Sequence, residues 1–181
     1  MRRWACRDAI LPADRLFGRR EIHPVKALGA AGIATVPEPG RRIVAAALAG
    51  DGRCLPWEDP FGFAERALAL ALDDWHAAQA LPGPRGSNRG ILDAVAAYEH
   101  VTGSLPPQAE ELRVRYTRQV LVAPPWRGIF AADPERRQGF GAARAEYHRL
   151  TAFLPRFGYQ TLPQPRVPVA ARVAFARRLL A

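Results

Sequence analysis

Apolar and polar positions alternate in blocks along most of the chain. KALGAAG (26–32) has the composition of a helix end, stopped by Gly32. Residues 33–36 (IATV) are a short β-branched run ending in Pro37-Glu38-Pro39-Gly40, which predicts a strand and then a turn. Residues 41–49 (RRIVAAALA) predict a helix closed by Gly50-Asp51-Gly52. LPWEDP (55–60) predicts a loop. Over 61–80, Phe63, Ala67, Leu70, Ala71 and Trp75 recur at spacings of three or four, with Glu65, Arg66, Asp73 and Asp74 between them, the pattern of an amphipathic helix. LPGPRGSNRG (81–90) predicts loop. Residues 91–101 predict a helix ended by Gly103, and 106–117 a polar helix. VLVA (120–123) reads as a buried parallel strand. An arginine-rich helix over 134–153, a short strand over 159–162 and a closing helix over 168–180 complete the series.

Strands alternating with helices predict a three-layer α/β fold around a parallel sheet. In such a sheet the ligand crevice lies at the carboxyl ends of the strands, which selects Glu38, Pro125-Trp126 and 163–167. Two strands are missing from the pattern. Residues 1–24 offer nothing more strand-like than AILPA, and 81–90 offer no strand although long helices flank it.

The 181 residues suit one domain, and their 49% hydrophobic and 24% charged content is that of a globular chain. No run approaches the ~18 apolar residues of a membrane span, and the interrupted start MRRWACRDAILPAD does not read as a secretory signal. Cys6 and Cys54 make neither a disulfide framework nor a metal cluster, and His23, His76, His100 and His148 are dispersed. A reduced, cytoplasmic protein without a membrane partner is expected. The net charge of +9 invites a nucleic-acid partner. Lys26 is the only lysine, however, and the arginines are scattered rather than gathered on one face, so solvated surface charge explains them more simply. Trp57 and Trp126 read as packing or rim residues.

Six stretches together carry a family pattern: VPEPGRRIV (36–44), LPWEDP (55–60), NRGILDA (88–94), VLVAPPW (120–126), DPERRQGF (133–140) and FGYQTLP (157–163). In their order and spacing the chain resembles the small AAA-type P-loop ATPases related to the kinase domain of the bacterial nicotinamide-riboside kinase and regulator. The resemblance implies a P-loop NTPase-like fold with strand order 2-3-1-4-5. It implies ATP and Mg²⁺ as cofactors and ATPase or small-molecule kinase chemistry on an unidentified small-molecule or protein partner. Glu38 and Arg41 match an element beside the phosphate site. Asn88, Arg89 and Gly90 match an Asp-Arg-Gly at a strand end, Asp93 a second acid, and Arg136 and Arg137 the arginines of a lid over about 127–150.

Two departures touch the chemistry. Asn88 replaces an acid, and Asn carries no charge to hold Mg²⁺ or orient a nucleophile. No G-x-x-x-x-G-K-[ST] precedes KALGAAG; FGRREIHP (17–24) stands in its place, with Arg20, Glu21, Ile22 and His23 at the positions of the phosphate loop. Lys26 lacks the preceding glycine and following Ser/Thr, so it is not the Walker lysine. The domain is therefore read as an aberrant segment over 1–24, replacing the first strand and P-loop, joined to a P-loop-like domain over 25–181. The genetic code offers a reason. Permitted codons for Arg20–Pro24, CGG GAA ATC CAC CCG, read one base later as GGG AAA TCC ACC, Gly-Lys-Ser-Thr. The expected function is nucleotide binding that is impaired in this chain. The alternative is a non-catalytic module, either a degenerate P-loop scaffold or a basic nucleic-acid binder.

Overall fold

The computed structural model describes residues 8–11, 24–50, 52–83, 85–107, 109–110, 116–129 and 139–180. Strand β1 (Asp8–Leu11) is followed by α1 (Pro24–Ala30), β2 (Ala34–Val36), α2 (Pro39–Ala49), α3 (Pro60–Ala78), β3 (Arg85–Asn88) and α4 (Ile91–Thr102). Then come β4 (Gln119–Val122), α5 (Phe140–Phe153), β5 (Gln160–Pro163) and α6 (Val169–Leu180). Local chemistry accounts for several boundaries. Pro39 and Pro60 open α2 and α3, where their missing N–H costs nothing. The Asp59 carboxylate accepts the Gly62 N–H at 2.8 Å and caps α3. Gly103, at φ 76°, ends α4 in the left-handed region.

All ladders are parallel. β3 pairs with β1 on one side (Asp8 opposite Arg85, Leu11 opposite Asn88) and with β2 on the other (Ala34 opposite Arg85, Val36 opposite Ser87). β4 pairs with β5, and β1 runs beside β4. The ladders thus give two runs, 2-3-1 and 4-5.

Two expectations are corrected here. Residues 81–90 do contain a strand, and it is the middle one of its sheet. Arg85-Gly86-Ser87-Asn88 has no apolar or β-branched residue, so propensity opposes it; hydrogen bonds from partners on both sides, with Gly86, Ser87 and Asn88 buried, form it nonetheless. The first strand, expected to be degenerate or missing, is present as Asp8–Leu11 within the segment read as aberrant. The phosphate-loop positions Arg20, Glu21, Ile22 and His23, the lid residues Arg136 and Arg137, and half of the polar helix expected over 106–117 lie outside the described residues.

β4 divides the interior. Successive strand residues point to opposite faces. Val120 and Val122 enter a large core with Leu68, Ile91, Leu92, Val95, Leu150 and Phe153, from α3, α4 and α5. Leu121 enters a second core with Leu28 of α1, Ile33 and Ala176 of α6. Helices therefore cover both faces, the three-layer arrangement. A third cluster, Val44, Ala47 and Leu55 with Trp57 and Phe63, holds the LPWEDP loop against α2, so Trp57 is a packing residue. No helix among the described residues is long and apolar enough to cross a membrane.

Candidate functional site: a charged clasp at the strand ends

β2 and β3 end side by side, and each delivers a charged residue into the turn that follows. Glu38 stands immediately before α2 and is 9% exposed. Its burial decides against a merely solvated turn carboxylate. Arg89 follows β3 at φ 53°, in the left-handed region that favours glycine. Gly90 must come next. A Cβ there would lie 2.7 Å from the Tyr116 hydroxyl and 2.8 Å from Ser87 Oγ. The same Tyr116 hydroxyl accepts the Ile91 N–H at 3.3 Å and so caps the first turn of α4.

The Arg89 side chain is only 11% exposed and sits between carboxylates. Nη2 lies 2.9 Å from Glu146 Oε1, on α5, and Nε lies 3.5 Å from Glu38 Oε1. Arg149, one turn along α5, approaches the same Glu146 oxygen at 3.8 Å. Burial by itself pulls the Arg89 pKa down. The charges of Glu146, Glu38 and Asp93, with the Glu146 hydrogen bond, outweigh that pull and hold it above its ordinary value. Arg89 is thus a permanent cation in a place from which water is largely excluded.

Of the residues selected from the sequence, Glu38, Arg89 and Asp93 come together at this edge of the sheet. Asn88 closes β3 beside them and is 3% exposed. Arg41 lies half-buried in the first turn of α2. Glu146 is the member that sequence reasoning missed. A signal for it existed: the buried residues of α5 are Glu146, Leu150 and Phe153, so an acid occupies the first position of an i, i+4, i+7 apolar stripe.

No group of three His, Cys, Asp or Glu side chains among the described residues could hold a metal, and Glu38 and Glu146 already face a guanidinium. Asn88, a neutral amide, stands where β3 ends.

A parallel sheet between helix layers, with charged residues gathered where strands end, is the architecture of a P-loop NTPase-like domain. A family model described as AAA domain matches residues 24–172, and the chain belongs to that family. Membership places it among AAA-type P-loop proteins, whose general function is nucleotide binding of the ATPase kind. Comparison with curated proteins and with solved structures found no match.

Proposed function

We propose that this chain is a P-loop domain in which binding and turnover of ATP with Mg²⁺ are impaired, so that it works as a degenerate, cytoplasmic member of its family. One observation carries the reading. Where β3 ends, the buried residue is Asn88 in place of an acid, and the neighbouring carboxylates are engaged by Arg89. A neutral amide supplies no charge for a cation that bridges phosphates. Two further observations support the reading. FGRREIHP has no Gly-Lys-Ser/Thr to cradle the β- and γ-phosphates, and the family match begins at residue 24, beyond most of that segment.

When bound, ATP and Mg²⁺ would supply a transferable phosphoryl group. The residues matched to its handling, Arg89 here and Arg136 and Arg137 in the segment after β4, are of the type that stabilises charge on such a group. The phosphoryl acceptor of the intact family chemistry, a small molecule or a protein, belongs to the same proposal.

The test is a calorimetric titration of the purified full chain with ATP in the presence of Mg²⁺, paired with a phosphate-release assay. Neither binding in the micromolar range nor turnover is expected. Micromolar, Mg²⁺-dependent binding would overturn the reading. The alternative, a basic nucleic-acid binder, is separated by the same preparation: salt-sensitive DNA or RNA binding without nucleotide binding would favour it. The nucleotide sequence of codons 14–24 tests the origin of the loop directly. If they do not spell Gly-Lys-Ser-Thr in the next frame, the frameshift explanation fails.

A further inference from the structure

The three partners of the clasp are held with unequal firmness. Glu38 and Arg89 stand in turns that leave hydrogen-bonded neighbours, β2 and β3, so the sheet fixes both. Glu146 comes from α5, a helix outside the sheet. Along α5 the burial is lopsided. Residues 140–145 are exposed or half-buried, Glu146 is the first buried residue, and Leu150 and Phe153 behind it enter the main core. The C-terminal half of the helix is therefore anchored by apolar packing. Its N-terminal half is held at the sheet by Glu146 on Arg89, with Phe140 under the Arg127 guanidinium 4.8 Å away.

A guanidinium presents the same fork of N–H donors to a carboxylate and to a phosphate. A phosphate that reaches Arg89 through Nη2 takes the place of the Glu146 carboxylate, which is carried by α5 and not by the sheet. We propose that Glu146 is a built-in anion that occupies Arg89 and straps α5 over the strand ends, an autoinhibitory contact that a phosphate group displaces. The proposal rests on reading the strand ends as the phosphate-facing edge of the domain, and it assigns Glu146 as the residue that controls access to that edge. Arg149, 3.8 Å from the same Glu146 oxygen, receives the carboxylate when it leaves.

Inorganic pyrophosphate, without Mg²⁺, is the probe. Its binding to the full chain is measured by calorimetry for the wild type, Glu146→Gln, and Glu146→Gln with Arg89→Gln. Removing the Glu146 charge is expected to tighten binding by roughly tenfold or more, the size of a charge-assisted hydrogen bond to phosphate, and the double variant is expected to lose that gain. A Glu146→Gln protein that melts cooperatively but binds no tighter than wild type overturns the proposal, as does a gain that survives in the double variant. If Glu146→Gln does not fold, amide exchange of the wild type decides. Millimolar pyrophosphate should speed exchange over 140–146 while leaving α4 unchanged; unaltered exchange over 140–146 overturns the proposal. The comparison is between variants and omits ATP and Mg²⁺, so it stands or falls separately from wild-type nucleotide binding.

Discussion

Gly90 shows how closely the β3–α4 turn is built. The space a side chain would need is taken by the Tyr116 hydroxyl and Ser87 Oγ, at 2.7 and 2.8 Å from an added Cβ. Gly90→Ala is expected to cost about 1–3 kcal/mol through overcrowding, read as a lower midpoint in urea. Tyr116→Phe removes one of the two obstructing atoms but also the acceptor of the Ile91 N–H, worth about 1 kcal/mol. Combined, the two substitutions should cost less than their sum, because the phenylalanine relieves part of the clash. A double-mutant cycle checks this, and strict additivity would count against the geometry. Arg89 was legible in the sequence because it follows a matched motif. Glu146 was not, because an acid in an arginine-rich helix looks solvated until the helix is docked. Only its place in the Glu146–Leu150–Phe153 stripe hints at burial.

Among the elements, α4 is tied to the turn that follows α5 by a two-pronged ion pair. Arg156 donates from Nη1 and Nη2 to the two oxygens of Glu99, at 2.7 and 2.8 Å. That hydrogen bonding holds the Glu99 carboxyl below the usual glutamate range. The folded pKa is depressed, so the stabilisation is present above the unfolded value of about 4.3 and is lost as pH falls through the folded value. Both side chains are partly exposed, which limits the contribution to about 1 kcal/mol or less. Glu99→Gln should therefore lower stability slightly at neutral pH, and the difference should shrink below about pH 4. Denaturation of both proteins at the two pH values measures it; a gap that widens on acidification would contradict the assignment. Helices α2, α3, α4 and α6 were readable from periodicity and their Pro and Gly boundaries. β3 was not, since RGSN has no strand propensity and owes its conformation to partners distant in sequence.

At the scale of the whole molecule, the two apolar cores lie on opposite faces of β4 and share that strand. Leu28 has no exposed surface and joins α1 to Leu121 of β4 and Ala176 of α6. Leu28→Ala is expected to cost about 2–5 kcal/mol. For a domain of this size that lowers the melting temperature by roughly 4–20 °C. Scanning calorimetry should show a single transition that moves as a unit, because β4 belongs to both cores. A variant that melts in two separate steps would show the helix layers to be independent.

The sequence by itself determined what depends on neighbours a few residues away. Helix periodicity, capping residues, the apolar run of β4 and the neutral side chain of Asn88 could all be read locally, and ordered motifs pointed to the P-loop class. Tertiary structure alone decided the rest. It made a strand of Arg85–Asn88 and paired Asp8–Leu11 beside it, because ladder hydrogen bonds from both sides outweigh poor propensity. It also brought Glu146 to Arg89 across 57 residues of chain, because a buried guanidinium needs a carboxylate wherever in the sequence one can be found.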